Sequence, residues 1–183
     1  QKGVISPVNS NTITFPAISD KSIGDGFKLT ATASSNLPVS YSTVSDKISI
    51  SGNIVTTINA GRAIIKANQI GNALFIAASE VTQSFCITPP KPTVSISKTN
   101  TDTFTLTSSA SSGNKWLLNE TAIPSGINTI LSATGAGIYK VQVTVDDCAS
   151  EFSDNTPIIV TGDLTVAGKS VKVYPMPVDD YLN

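Results

Sequence analysis

Three prolines within four residues, in the segment Thr88-Pro89-Pro90-Lys91-Pro92, constrain this chain more than any other feature. Proline fixes the backbone angle φ and has no backbone N–H, so the segment can neither continue a β-sheet ladder nor coil freely. Short β-prone runs lie on both sides of it, and neither side contains a convincing helical pattern. Pro89, Pro90 and Pro92 therefore predict a stiff joint, residues 89–92, between two β domains.

Composition favours an all-β protein and excludes some partners. A chain of 183 residues has room for one or two domains, and each half has the size of a small β-sandwich. Charged residues make up 14% of the chain and its net charge is −1, so it has no basic field that would attract nucleic acid. Most of the polarity comes from Ser, Thr and Asn, which suit exposed strand faces and turns.

The ends of the sequence favour a piece of a longer protein. No apolar run approaches the roughly 18 to 20 residues that span a bilayer, so we expect no membrane span. Residues 1–10 contain no signal-peptide core, and the chain begins with Gln1 rather than Met. We expect an internal or processed fragment that is monomeric by itself.

Apolar residues before the joint come in short bursts separated by turn signals. Phe27, Leu29, Ala31 and Ala33 alternate with polar residues, which predicts a strand with one buried face. Ser51-Gly52-Asn53 predicts a hairpin turn, and Ala60-Gly61 predicts the next reversal. The candidate strands are Thr12 to Phe15, Phe27 to Ala33, Val39 to Thr43, Lys47 to Ile50, Asn53 to Thr57, Arg62 to Ala67 and Val81 to Thr88.

These residues also carry a family resemblance. The runs Asn11 to Lys21 and Phe27 to Tyr41, with Ser51-Gly52-Asn53, Gln69 to Ala73 and Val81 to Phe85, resemble an MBG-type bacterial immunoglobulin-like repeat. The resemblance covers nearly all of residues 1–88. It implies a β-sandwich in a large secreted or surface protein of Bacteroidetes-like bacteria, in tandem with other repeats and without a catalytic role.

The part after the joint resembles a second immunoglobulin-like domain, residues 93–161. Trp116 lies in a short strand-like run and resembles the core Trp of strand C. The run Gly135 to Val145 resembles strand F, with Tyr139 as its tyrosine corner. Antibody domains place a Cys two residues after that Tyr, where this chain has Val141, so packing rather than an inter-sheet disulfide should hold the sheets together.

The two cysteines, Cys86 and Cys148, lie in different predicted domains. A bridge across the joint is one alternative, and two unpaired cysteines are the other, which the sequence favours. In related bacterial domains a Cys near the position of Cys148 often pairs with one near the second strand, where this chain has Thr101, Asp102 and Thr103. The resemblance thus implies an unpaired Cys148, and Cys86 is expected to behave as a small buried hydrophobe.

The last residues resemble the start of a type IX secretion (Por) C-terminal sorting domain, whose usual opening reads V-x-V-Y-P-N-P-V-x-D-x-L. Met176 replaces the usual Asn, and the match ends with the chain. The resemblance implies a linker and truncated sorting domain over residues 162–183, with the type IX machinery as a partner. The matching residues are Val173, Tyr174, Pro175, Pro177, Asp180 and Leu182.

Few residues in the chain are suited to catalysis or to binding a metal ion. The sequence has no histidine, which excludes His-based triads and His-containing zinc sites, and it has no phosphate loop or Cys-x-x-Cys motif. We therefore predict a protein that is not an enzyme and needs no cofactor. Four acids form a weak Ca²⁺ candidate whose spacing matches no EF-hand loop. They are Asp146, Asp147, Glu151 and Asp154.

The sequence thus predicts two tandem immunoglobulin-like β-sandwiches with a short C-terminal tail. The favoured function is a non-catalytic stalk or adhesion module of a larger type IX-secreted protein, extracellular or attached to the outer-membrane surface. A surface glycan or a protein is the expected ligand class. The alternative is an accessory carbohydrate-binding module that uses Tyr41, Phe75, Trp116 or Tyr139 as a sugar platform. A small enzyme that uses carboxylates alone is a third, poorer reading.

Overall fold

The computed structural model describes residues 8–100, 102–160, 163–166 and 169–172. Every regular element in this part of the chain is a β-strand, which confirms the all-β prediction. The described strands fall into two compact units. Of the described residues, the first unit contains those up to Pro90 together with Thr144–Ser150, and the second contains those within Lys91–Val143 and those from Glu151 onward.

The first unit is a sandwich with two layers of strands. In one layer β1 pairs with β4, and β3, β7 and β6 pair side by side. In the other layer the order is β2-β9-β8-β5, with β2 parallel to β9. The strands are β1 (Ile13–Thr14), β2 (Lys21–Ser22), β3 (Gly26–Lys28), β4 (Thr32–Ala33), β5 (Ser40–Ser42), β6 (Ile48–Ser51), β7 (Ile54–Thr57), β8 (Gly61–Asn68) and β9 (Val81–Thr88).

In immunoglobulin lettering this order is A-B-E-D in one layer and A′-G-F-C in the other. The predicted strand Phe27 to Ala33 is divided in two, because β3 pairs with β7 whereas β4 pairs with β1. The hairpin expected at Ser51-Gly52-Asn53 forms, with Ser51 opposite Ile54. The hydrophobic core contains residues from both layers. Its buried residues are Phe15, Leu29, Ile48, Val55, Ala63, Ile65, Ala67, Phe85 and Ile87.

The second unit is also a sandwich, with the A-B-E order β10-β11-β14 in one layer. In the other layer β13, β12 and β15 lie side by side, and β17 also pairs with β15, which gives the order C′-C-F-G. The strands are β10 (Val94–Lys98), β11 (Phe104–Ser108), β12 (Asn114–Leu118), β13 (Thr121–Ala122), β14 (Ile130–Ala133), β15 (Gly137–Val145), β16 (Cys148–Ala149) and β17 (Thr156–Ile158). Its buried core residues are Leu106, Trp116, Ala133, Tyr139, Val141 and Ile158.

The proline segment separates the strands of the two units in sequence. Strand β9 ends at Thr88, as predicted, and β10 begins at Val94, one residue after the predicted start. Pro90 is exposed, while Pro89 and Pro92 are buried. Within residues 162–183, β18 (Asp163–Val166) and β19 (Lys169–Lys172) form an antiparallel hairpin.

One short hairpin departs from the predicted domain limits. The sequence placed residues 93–161 in a single second domain, yet Thr144–Ser150 belong to the first unit. These residues contain the end of β15 and all of β16, with Val145 opposite Cys148. We call residues 144–150 the clasp hairpin. Strand β15 thus begins in the second unit and ends in the first.

Candidate interaction surface

A disulfide holds the clasp hairpin in the first unit, so the prediction of unpaired cysteines is wrong. Cys86 and Cys148 form a disulfide across a sequence separation of 62 residues. Strand β9 turns Phe85 and Ile87 into the core, and by strand alternation Cys86 lies on the opposite, outer face of the sheet. The sequence does not indicate this pair, because the predicted domain limits place Cys86 and Cys148 in different sandwiches. Cys148, which we expected in the second sandwich, is 1% exposed.

Asp146 and Asp147 form the turn of the clasp hairpin. Both have positive φ, 47° and 63°, and they lie between the paired residues Val145 and Cys148. Positive φ at both central residues is the geometry of a type I′ hairpin turn, which short polar residues such as Asp tolerate. Their position therefore has a backbone explanation that does not involve calcium.

The candidate Ca²⁺ acids do not form a metal site in the described part of the chain, where no group of three or more acidic, Cys or His side chains is close enough to hold a metal ion. Asp146 lies 3.7 Å from the Lys47 ammonium, and Asp154 pairs with Lys91 at 2.6 Å. The Asp154 hydrogen bond is the main reason that the pKa of Lys91 is raised. The exposed Glu151 is the fourth of these acids.

Gly61 allows the clasp hairpin to approach strand β8. Its φ is +121°, and a Cβ atom placed there would lie 2.5 Å from an Asp146 carboxylate oxygen and 3.1 Å from the Lys47 side chain. No side chain fits at this position without moving a neighbour. The residue that the sequence marked only as a turn glycine is therefore also a contact point for the hairpin.

Trp116 and Tyr139 lie inside the second sandwich. Trp116 is fully buried on β12, opposite Val141 of β15, and its indole N–H donates a hydrogen bond to the Asn128 carbonyl at 2.9 Å. The Tyr139 hydroxyl donates to the Gly135 carbonyl, four residues upstream, at 3.0 Å. This bond has the geometry of a tyrosine corner.

The aromatic residues considered for sugar binding do not form an exposed platform. Trp116 and Tyr139 are core residues, and Tyr41 packs against Phe15 with its hydroxyl accepting the Ala31 N–H. Phe75 is half-buried in the connection between β8 and β9. A sugar platform needs ring faces open to solvent, so this arrangement counts against the carbohydrate-binding alternative.

The connection between β8 and β9, residues 69–80, is the strongest candidate for an interaction surface, and we call it the F–G loop. Gln69 at its start is buried, and its side-chain oxygen accepts hydrogen bonds from the Gly71 N–H and the Asn11 amide. Within the loop the Asn72 side chain accepts the N–H groups of Leu74 and Phe75. Side chains and backbone thus fix the loop without a regular strand.

Gly71 makes the tight part of the F–G loop. Its φ is +75°, and a Cβ atom there would lie 2.5 Å from the Phe75 carbonyl oxygen. The Asn72 N–H also donates to the Phe75 carbonyl, and the Ala78 N–H donates to the Gln69 carbonyl. Only glycine fits this turn, which brings the two limbs of the loop together.

The F–G loop exposes apolar side chains although its backbone is well bonded. Ile70 is 87% exposed, Leu74 62% and Ile76 52%. The start of the described chain lies beside them, because the Asn9 N–H donates to the Leu74 carbonyl and the Ile76 N–H donates to the Asn9 carbonyl. Val8, next to Asn9, is 48% exposed. We call Val8, Ile70, Leu74 and Ile76 the apolar pole.

The residue types of the F–G loop do not by themselves show that its apolar side chains are exposed. The sequence treated residues 69–73 as part of the repeat pattern and Phe75 as a loop aromatic, whereas the structure half-buries Phe75 and exposes its aliphatic neighbours. The available signal was a Gly-Asn turn followed by Leu74 and Ile76 without a period-two strand pattern. The sorting motif residues Val173, Tyr174, Pro175, Pro177, Asp180 and Leu182 lie outside the described residues.

Within the described part of the chain, no helix has the length and apolar content to cross a membrane. No protein-family model and no curated protein matches the chain. Among solved structures, it is similar to titin domains A168 to A170, at 14% identity over 82% of this chain and 66% of that one, with a TM-score of 0.32. It is also similar to the D0-D1 domain of intimin, at 16% identity over 79% of this chain and 96% of that one, with a TM-score of 0.35.

The N-terminal four immunoglobulin domains of a Dscam1 isoform also match, at 13% identity and a TM-score of 0.36. This match covers 82% of the chain but 46% of the Dscam1 structure. At these scores the neighbours add nothing to the description of the site. It is the strand order of each unit that makes this chain a tandem of immunoglobulin-like β-sandwiches.

Proposed function

We propose that the chain is a non-catalytic display module, a stalk or adhesion segment, of a larger extracellular or cell-surface protein. The observation that carries the proposal is the Cys86–Cys148 disulfide. Structural disulfides persist in oxidising compartments and are rare in the cytosol. This one closes a covalent loop that contains the whole proline joint, so tension between the two ends of the chain passes through the disulfide and bypasses residues 87–147.

The sorting motif supports export as part of this proposal. The sequence from Val171 to Asn183 resembles the opening of a type IX sorting domain, and such tails are recognised by the type IX machinery of Bacteroidetes-like bacteria. Export by this route delivers proteins to the outer-membrane surface or the medium. The MBG-like pattern in residues 1–88 supports the same class of parent protein.

Surface labelling of intact cells that produce the protein tests the proposal. An antibody against this fragment should label the cells or their medium without permeabilisation, and thiol alkylation before lysis should find Cys86 and Cys148 unreactive. Labelling only after permeabilisation, or free thiols in the native protein, would contradict it. Deleting residues 171–183 from the whole gene product tests the export route. Unchanged delivery to the surface would rule out the tail as a signal.

A further inference from the structure

We propose that the apolar pole of the first unit is the docking face for another β-sandwich domain that precedes Val8 in the same polypeptide. This inference rests on the proposed function, in which the chain is one module of a larger protein. It names a surface and a class of partner that the two sandwiches do not reveal by their fold alone.

The backbone that presents the exposed side chains of the apolar pole is fixed in place. Gly71, Gln69 and Asn72 hold the F–G loop by backbone and side-chain hydrogen bonds. Ile70 and Leu74 therefore cannot turn inward to leave water, although they are 87% and 62% exposed. Scattered single apolar residues are normal on a protein surface, whereas a rigid cluster of them indicates an interaction site.

The F–G loop carries almost no charge. Residues 69–79 contain no Asp, Glu, Lys or Arg, and Glu80 is the first charged residue after them. Cores of protein interfaces are depleted in charged side chains. At the base of the loop Glu80 is engaged by Lys66 at 2.9 Å and by the Asn68 amide at 3.1 Å. The loop that contains most of the apolar pole therefore has the charge-poor composition of an interface centre.

The small size of the apolar pole favours a partner on the same polypeptide. An independent complex needs about 20 to 30 residues on each side, and the apolar pole offers four. A contact this small gains occupancy when the partner is tethered, because a short linker supplies a high effective concentration. The hydrogen bonds of Asn9 with Leu74 and Ile76 place the incoming chain at the pole itself. A domain joined to the chain just before Val8 would meet the pole first.

The second sandwich provides an internal parallel. The end of its strand F (β15) and the start of its connection to strand G (β17) form the clasp hairpin, and that hairpin belongs to the unit that precedes it in sequence. The same connection of the first sandwich carries the apolar pole. We expect the F–G loop of the first sandwich to contact the domain upstream of Val8 through apolar side chains.

Amide hydrogen exchange on the full-length gene product tests this inference. Amides of residues 70–76 should exchange about tenfold or more slowly in the full-length protein than in the 183-residue chain, because the docked domain excludes water. The double variant Ile70→Asp, Leu74→Asp should restore fast exchange. The matched control is Val44→Asp, which changes a side chain that is 90% exposed on the same sandwich but outside the pole.

The 183-residue forms of both variants should unfold at the same urea concentration as the unchanged chain, which shows that they fold. Equal exchange in the long and short chains would overturn the inference, as would an equal effect of Val44→Asp or a gene product with no folded domain before Val8. Surface labelling is read separately. If the protein were intracellular but the amides of residues 70–76 still exchanged slowly in the full-length protein, the proposed function would be wrong and the docking face would be supported.

Discussion

Cys148 is bonded to Cys86 although it follows a strand that begins in the other sandwich. Strand β15 contributes Tyr139 and Val141 to the core of the second unit, and its last residues enter the first unit with the clasp hairpin. The disulfide therefore joins two segments that are separated by the entire proline joint. This covalent link has mechanical consequences that do not depend on how the units are arranged.

Reduction of the disulfide should lengthen the chain that force can extend. The 62-residue separation of Cys86 and Cys148 corresponds to about 210 Å of chain at ~3.4 Å per residue when fully extended. In single-molecule pulling from both termini, the oxidised protein should lack this contour length and the reduced protein should gain it. The Cys86→Ser, Cys148→Ser variant should show the full length in both conditions. The same contour length with and without reductant would contradict the prediction that tension passes through the disulfide and not through residues 87–147.

Gly61→Ala should destabilise the docking of the clasp hairpin. The positive φ should cost an alanine about 1–3 kcal/mol. The new methyl group would also lie 2.5 Å from the Asp146 carboxylate, and because this half-exposed side chain can turn aside we expect the contact to add less than about 1 kcal/mol. Gly24→Ala is the matched control, since Gly24 has φ +88° and no neighbour within 4 Å of an added Cβ. Urea unfolding, with exchange of the β8 and β9 amides, measures both.

Asp146→Ala in the Gly61→Ala background should recover part of that loss, because it removes the clashing carboxylate. The double-mutant cycle separates this contact from the backbone strain. Equal destabilisation by Gly61→Ala and Gly24→Ala would show that contact with the clasp hairpin does not decide the residue at position 61.

Tyr139→Phe should lower the free energy of unfolding of the second unit by about 1 kcal/mol, because it deletes the hydrogen bond to the Gly135 carbonyl and keeps the packed ring. Tyr139→Ala, which also removes the ring, should lower it by about 3 kcal/mol or more. Trp116 is the single Trp of the chain and is buried in this unit, so its fluorescence reports the transition. A Phe variant as stable as the parent would mean that the corner bond is energetically neutral.

The pKa of Glu80 should lie below its ordinary value of 4.5 in the folded protein, because Lys66 and then Asn68 donate hydrogen bonds to its carboxylate. A lowered folded pKa stabilises the fold above the unfolded pKa, and this contribution is lost as the pH falls through the folded value. The carboxylate is exposed, so the effect on stability is small. An NMR titration of the Glu80 side chain measures the shift.

Lys66→Gln should move that pKa back towards 4.5, whereas Lys28→Gln, a change elsewhere in the first unit, should leave it where it is. An unshifted Glu80 in the parent protein would show that the pair at the base of the F–G loop does not persist in solution.

Local patterns in the sequence determined the β-strands and the joint. Period-two alternation located Arg62 to Ala67 and Val81 to Thr88 to within one residue, because one face of each strand must be buried. Proline chemistry ended β9 at Thr88, since residues 89–92 cannot extend a ladder. These features depend on neighbours in sequence, and a single sequence therefore contains them.

Long-range packing decided that the two cysteines pair, where the acidic residues lie and which apolar side chains remain exposed. Cys86 and Cys148 meet because strand β15 continues beyond its own sandwich, and no local pattern records where a strand end will lie. Asp146 and Asp147 form a hairpin turn because of the register between Val145 and Cys148. Ile70 and Leu74 have the composition of core residues, yet Gly71 and Gln69 turn their loop outward. The sequence determined which residues could be buried, and only the tertiary structure decided which of them remain exposed.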